Sequence, residues 1–189
     1  VPDANPPKAG TLTVPVGEAD HLLGPALAGA AVPGVVDLLE YGDFQCPHCR
    51  RAVAVITHLR AERPGALRFA FRHFPLSRLH PLARRAAEAS EAAAAQGAFW
   101  PMHDRLFAHG PALVEPQLMA IAAELGLDVE RLAMELSNGV HAPRVQRDIS
   151  SGARSGVNGT PTFFINGKRY DGPYDLDLLR AAIDAAAGG

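Results

Sequence analysis

The sequence predicts an α/β protein: a strand–helix–strand unit, then a block of helices, then a hairpin with a closing helix. Three observations carry this reading. Residues 35–41 (VVDLLEY) form an apolar, partly β-branched run between Pro-Gly and Gly-Asp, the pattern of a buried strand. Ala52, Val55, Ile56 and Leu59 recur at i, i+3, i+4 and i+7, which makes one apolar helical face. Asn166-Gly167 separates two short strand-like runs, TFFI and KRY, and is the strongest short hairpin signal.

The elements follow in order. Residues 1–10 (VPDANPPKAG) read as a flexible lead-in. Residues 11–16 (TLTVPV) read as a short strand that Pro15 confines to an edge or an end. Residues 17–34 carry Gly17, Gly24, Pro25, Gly29, Pro33 and Gly34 and read as loop. After the buried strand, a helix is expected over 47–63, ended by Pro64-Gly65. In residues 67–71 (LRFAF), Leu67, Phe69 and Phe71 share one face of a second strand. This βαβ unit should be parallel and right-handed.

Helices are expected from about residue 77 to 155. Pro81 suits the first turn of an Ala-rich helix. Phe99, Met102, Leu106 and Phe107 mark a second. Pro116 opens a third, with Leu118, Ile121, Ala122 and Leu125 inward and Gly126 as its cap. Asp128 caps a fourth, with Leu132 and Leu136 inward. Residues 141–155 form a fifth, with Val145, Ile149 and Ala153 inward. After the hairpin, Asp175 caps a last helix that uses Leu178, Leu179, Ala182 and Ile183. The expected organisation is a flexible segment 1–31 with an edge strand, a first half 32–76, a helical insertion 77–155 and a second half 156–189.

The chain has 189 residues and two cysteines, Cys46 and Cys49. Two thiols three apart close only a small loop, so they do little for stability. A site of four thiolates, zinc or iron–sulfur, is excluded by count. A net charge of -2 gives nucleic-acid binding little support. No apolar run approaches the ~20 residues of a membrane span. The chain opens at Val1 with no charged-then-apolar leader, so no signal peptide is expected in it and a trimmed start is.

Cys46-Pro47-His48-Cys49 falls where the buried strand gives way to a helix. Spacing of i, i+3 brings the two Cα atoms to roughly 5–6 Å, within disulfide range. Free N–H groups and the positive end of the helix dipole favour a thiolate at Cys46. Pro47 takes the first helical position without losing a needed donor. His48 is expected to donate to the Cys46 sulfur or stabilise its charge, and Arg50 and Arg51 add positive charge. All of these lower the thiol pKa and favour the reduced form. Cys46 is then the nucleophile and Cys49, one turn inside the helix, the resolving thiol. The alternatives are an inert pair, or half of a zinc site; His73 and His80 are nearest in sequence but give no recognised ligand spacing. Phe44 is expected to pack beside the cysteines, and the cluster Phe99, Trp100, Met102, His103 and Phe107 to form core or to line a peptide groove. Taken alone, Pro161 is an ordinary trans residue opening a strand, and Glu40 a strand glutamate.

Residues 40–49 (EYGDFQCPHC) and 159–167 (GTPTFFING), with helices between them, resemble the thioredoxin superfamily and, more closely, its DsbA-like thiol–disulfide oxidoreductases. The resemblance spans roughly residues 32–187. It implies a thioredoxin fold, a central mixed sheet with flanking helices, carrying an α-helical insertion. It implies a cis Thr160–Pro161 peptide against the disulfide, with Thr160 offering its backbone to a substrate strand. It makes Glu40 a buried acid under Cys49 that exchanges a proton with it.

His48, the helical insertion and the short N-terminal segment favour a monomeric oxidant of substrate protein thiols. Thr160 differs from the Val of enterobacterial DsbA, which leaves reductase and isomerase directions open. No metal or organic cofactor is expected, since Cys46–Cys49 is the redox centre. By resemblance a membrane protein reoxidises it, in an extracytoplasmic setting of a bacterium, periplasmic, secreted or membrane-tethered; a cytoplasmic setting is the alternative.

Overall fold

The structure, a computed structural model, describes residues 10–26 and 34–188. Its centre is a mixed five-stranded sheet in the order β1-β3-β2-β4-β5. The strands are β1 (His21–Leu23), β2 (Val36–Gly42), β3 (Leu67–His73), β4 (Thr162–Ile165) and β5 (Lys168–Tyr170). Only β2 and β3 run parallel; the other pairs are antiparallel. β2 is paired on both edges and covered on both faces, so its apolar run does not alternate. The hairpin turn has Asn166 and Gly167 at φ +47° and +76°, both left-handed as a two-residue turn requires.

Seven helices are present among the described residues. α1 (Pro47–Glu62) links β2 to β3 and buries Cys49, Ala52, Ile56 and Leu59. The insertion holds α2 (Ala83–Ala94), α3 (Phe99–His109), α4 (Glu115–Glu124), α5 (Val129–Ser137) and α6 (Ala142–Arg154). α7 (Leu176–Ala187) closes the chain. Asp128 and Asp175 cap α5 and α7 as expected, each accepting from the backbone N–H three residues on.

Several expectations are corrected. Residues 17–34 are not all loop: His21–Leu23 pairs with Phe69–Phe71 of β3. Residues 11–16 form no strand; only Thr11 bridges Lys168. Beyond it the chain leaves the edge because Thr13 bonds Ser155 and Ser151, and Arg72 takes the carbonyls of Val14 and Pro15. Pro81 lies outside α2, which starts at Ala83. In α6 Ala153 is exposed and the inward face is Val145, Asp148, Ser151 and Gly152. Leu178 is exposed on α7. The lead-in at 1–9, and Gly29 and Pro33 of the expected loop, lie outside the described residues.

A buried ion cluster ties the insertion to the sheet. The Nε2 atoms of His21 on β1 and His73 on β3 both lie 2.8 Å from Glu91 Oε1 on α2. Phe99 stacks on His21, and Trp100 donates to the Leu22 carbonyl, so α3 shields the sheet edge. Burial alone would raise the Glu91 carboxyl, but hydrogen bonds from the two imidazoles override it and hold it well below the usual range. Its stabilisation is therefore full above the unfolded pKa of ~4.3 and is lost as pH falls further. The urea midpoint is expected to drop steeply below about pH 4.5, and Glu91→Gln to flatten that slope; an unchanged slope in the variant would exclude Glu91 as its source.

Candidate active site

The site sits at the end of β2. Gly42 closes that strand, where a Cβ would come within 2.3 Å of the Phe71 ring. The next three residues turn the chain into α1 and are fixed from several sides. Asp43, fully buried, accepts from the backbone N–H groups of Gln45 and Leu76 and lies 2.8 Å from His80 Nδ1. Its carbonyl accepts from the Cys46 N–H. Gln45 bridges to the insertion, donating to the Pro111 carbonyl and accepting from the Leu82 N–H. Phe44 packs on Phe71, Phe107 and His103.

Cys46 is the N-cap of α1, in extended backbone, and Pro47 is the first helical residue. The first turn carries no acidic side chain, so no carboxylate within that turn offsets the positive end of the helix. Both cysteines are free thiols; Cys46 is 4 % exposed and Cys49 0 %. The Cys46 thiol is lowered to about 5. The Cys49 thiol, which donates to it, is the largest cause; burial opposes, and the Thr160 side chain and the backbone N–H groups of Cys49 and His48 add to the lowering. Burial pushes the Cys49 thiol up, and its bond to Cys46 and the nearby Glu40 push it further. The two thiols are thus split into a thiolate and a protonated partner.

Glu40 lies on β2 beneath this pair, 2 % exposed. Burial raises its carboxyl to about 8; a hydrogen bond from Cys49 opposes this and the charge on Cys46 adds to it. The Thr160–Pro161 peptide is cis. Thr160 faces Cys46: its carbonyl lies 3.3 Å from Cys46 Sγ and accepts from the S–H while that sulfur is protonated. The Thr160 hydroxyl, buried without a partner, is the donor available once Cys46 loses its proton. Thr160→Val is therefore expected to raise the Cys46 pKa. The check is the pH midpoint of iodoacetamide alkylation, near pH 5 in the parent protein; an unmoved midpoint would remove the hydroxyl from the account.

His48 behaves differently from expectation. Its side chain is exposed, and Nδ1 lies 2.9 Å from the Tyr174 hydroxyl and 2.8 Å from Arg51 Nη2. What His48 gives Cys46 is its backbone N–H. Tyr174 was not legible in the sequence, since it reaches the site from 126 residues away. Phe99, Met102 and Phe107 are buried core, while Trp100 and His103 of the same cluster line a cavity under α1. A cavity of about 260 Å³ does open beside Cys46, walled by Phe44, Gln45, Pro47, Arg50, Gly110 and Pro111. Among the described residues the group with metal-ligand spacing is His21, His73 and Glu91, which includes neither cysteine.

Fold and site together define a class, the thioredoxin-like oxidoreductases: a thioredoxin-type sheet with a helical insertion and a CxxC thiol pair at the start of α1. The family model described as thioredoxin matches residues 33–185, and the chain belongs to that family. BdbD from Bacillus subtilis has the same fold, with a TM-score of 0.82 at 23 % identity over 96 % of this chain and 100 % of that one. A thioredoxin-like oxidoreductase from Silicibacter pomeroyi aligns with a TM-score of 0.76 at 29 % identity, covering 92 % of this chain and 95 % of that one. In sequence the chain is 43 % identical over 176 residues to the Na(+)/H(+) antiporter NhaA 3 of Salinispora tropica, covering 93 % of this chain and 26 % of that protein. It is 42 % identical over 172 residues to the Na(+)/H(+) antiporter NhaA of Herminiimonas arsenicoxydans, covering 91 % and 26 %. The chain spans about a quarter of the length of these curated relatives.

Proposed function

We propose that this chain oxidises pairs of thiols in substrate proteins by donating a Cys46–Cys49 disulfide. The observation that carries the reading is the split between the two thiols, with Cys46 lowered to about 5 and Cys49 raised. A stabilised Cys46 thiolate favours the reduced enzyme, and so makes its disulfide an oxidant.

A substrate thiolate attacks Cys46 Sγ, and the bond to Cys49 breaks. Cys49 leaves as a thiolate and takes the proton of Glu40, whose raised carboxyl holds one near neutral pH. A second substrate thiolate then attacks the substrate sulfur of the mixed disulfide, and Cys46 leaves as a stable thiolate. Two electrons pass from the substrate dithiol to the enzyme, which is left reduced. The Thr160 carbonyl, 3.3 Å from Cys46 Sγ, is placed to pair with the backbone of a bound substrate strand, and the cavity beside Cys46 to take one of its side chains.

The chain acts as a monomer without metal or organic cofactor, and a membrane protein returns the electrons to an acceptor. We place it outside the cytoplasm, at a membrane surface. The matched proteins named as antiporters support a membrane setting. Equilibration with glutathione tests the direction. An oxidant should give a potential near about -120 mV, and a value near about -270 mV would make the chain a reductase instead.

A further inference from the structure

Five buried side-chain polar atoms among the described residues have no hydrogen-bond partner, and three of them belong to residues that meet in one place. Glu40 (Oε1), Arg60 (Nε) and His103 (Nε2) all line a cavity of about 130 Å³, with Asp104 on its rim. Buried polar groups without a protein partner take water, and a space of this size admits more than one molecule. The cavity lies under α1 on the Glu40 side of the cysteines, and Asp104, 69 % exposed, marks its way out.

His103 is built as a shuttle. Its Nδ1 lies 2.8 Å from Asp104 Oδ1. Burial holds the imidazole below its ordinary pKa; Asp104 opposes this, and His73 and His21 add to it. The resting ring is therefore neutral. With Nδ1–H directed to Asp104, Nε2 is an acceptor. Asp104 stabilises the imidazolium that forms when Nε2 takes a proton. The charged or titratable groups around this ring are His21 on β1, Glu40 on β2, His73 on β3, Arg60 on α1 and Asp104 on α3.

We propose that His103, backed by Asp104, relays protons between solvent and Glu40 through water held in this cavity. The proposal rests on the reading of Glu40 as proton partner of Cys49. When the Cys46–Cys49 bond breaks, Glu40 gives its proton to the Cys49 sulfur. Water at the cavity mouth protonates His103 Nε2. The imidazolium releases that proton inward along the cavity water to the Glu40 carboxylate, and the ring returns to neutral. One solvent proton is taken up for each Cys49 thiol formed; reoxidation runs the path backward. His103 is a positioning residue, because it reaches the sulfur only through Glu40.

The test is single-turnover reduction of the oxidised full chain by a cysteine peptide from pH 5 to 9, in H₂O and D₂O, with the glutathione equilibrium measured in parallel. His103→Gln is expected to slow the step at least about tenfold, a fraction of the ~10²–10⁴ that general acid–base catalysis supplies. It should change the pH profile and the solvent isotope effect while leaving the glutathione equilibrium constant within about twofold. Imidazole in the buffer should restore part of the rate. Glu40→Gln should slow the step as well, and adding His103→Gln to it should slow it no further. If Glu40→Gln slows the step and His103→Gln leaves rate and profile unchanged, the relay is wrong and the role of Glu40 stands. If neither variant moves the rate, the role of Glu40 falls and the relay with it. Should His103→Gln fail to fold, Asp104→Asn at its exposed site carries the test; a several-fold loss supports the relay and an unchanged profile overturns it.

Discussion

Cys49→Ala is expected to abolish catalytic thiol oxidation, by about three orders of magnitude or more, and to leave Cys46 holding as a mixed disulfide whatever half it takes by exchange from glutathione disulfide or an oxidised peptide, the other half leaving as a thiol. Two effects combine. Without Cys49 there is no disulfide to donate, and an adduct on Cys46 has no neighbouring thiol to displace it. Attack from a held thiol is worth effective molarities of up to ~10⁵–10⁸ M over attack from solution, so the adduct should outlast the experiment. Cys46 also loses the donor that is the largest cause of its lowered pKa, so its alkylation midpoint should rise above about 5. The fold should persist: replacing a fully buried thiol by a methyl costs on the order of 1 kcal/mol. A glutathione or peptide adduct, followed by mass spectrometry and non-reducing gels, checks both parts. Turnover above about a hundredth of the parent rate would mean that Cys49 is not the resolving thiol, since no third cysteine exists to replace it.

The parts of the fold legible in the sequence are those fixed by local chemistry. The hairpin follows from Asn166-Gly167, whose two left-handed residues are needed whatever surrounds them. The helix caps at Asp128 and Asp175 are equally local. Cys46 and Cys49 could be placed because a strand end and a helix start define the site by themselves. What stayed hidden depends on partners far away in sequence. His21–Leu23 is too short to signal a strand; it becomes one because β3 offers a free edge and Trp100 and Glu91 grip it from the insertion. The histidine between the cysteines suggests a side chain aimed at sulfur, but Tyr174 and Arg51 take it outward. His103 sits at core spacing with Phe99, Met102, Leu106 and Phe107, and only the adjoining Asp104 hints at another use. The facing of Thr160-Pro161 and Cys46 was available from family resemblance alone, since no local rule brings residues 114 apart together.

Arg72→Met should be the most destabilising of the substitutions considered, while leaving the redox chemistry in place. Arg72 is 3 % exposed at the end of β3 and pins the segment before β1 to the sheet. Its Nε and Nη2 form a two-pronged pair with Asp20 at 2.7 and 2.8 Å. Nη1 donates to the Val14 carbonyl and the Tyr41 hydroxyl, and Nη2 to the Pro15 carbonyl. Met fills much of the volume but leaves the buried Asp20 carboxylate with the Gly17 N–H as its remaining donor and without a countercharge, and removes the Arg72 donors from two carbonyls. Breaking a buried pair from one side costs about 3–5 kcal/mol, and in a domain of this size that lowers Tm on the order of 10 °C. Lysine at this position restores charge but not the planar fork, so Arg72→Lys should recover less than half of the loss. Removing the carboxylate as well, in Asp20→Leu with Arg72→Met, should recover more, because no unpaired charge then remains buried. Arg72 points to the face of Tyr41 and Phe164, whereas Glu40 and the cysteines belong to the other face. The glutathione equilibrium should therefore be unchanged in every folded variant. A loss below about 1 kcal/mol in urea, the level of an exposed ion pair, would mean that the segment before β1 is held by its backbone contacts rather than by Arg72.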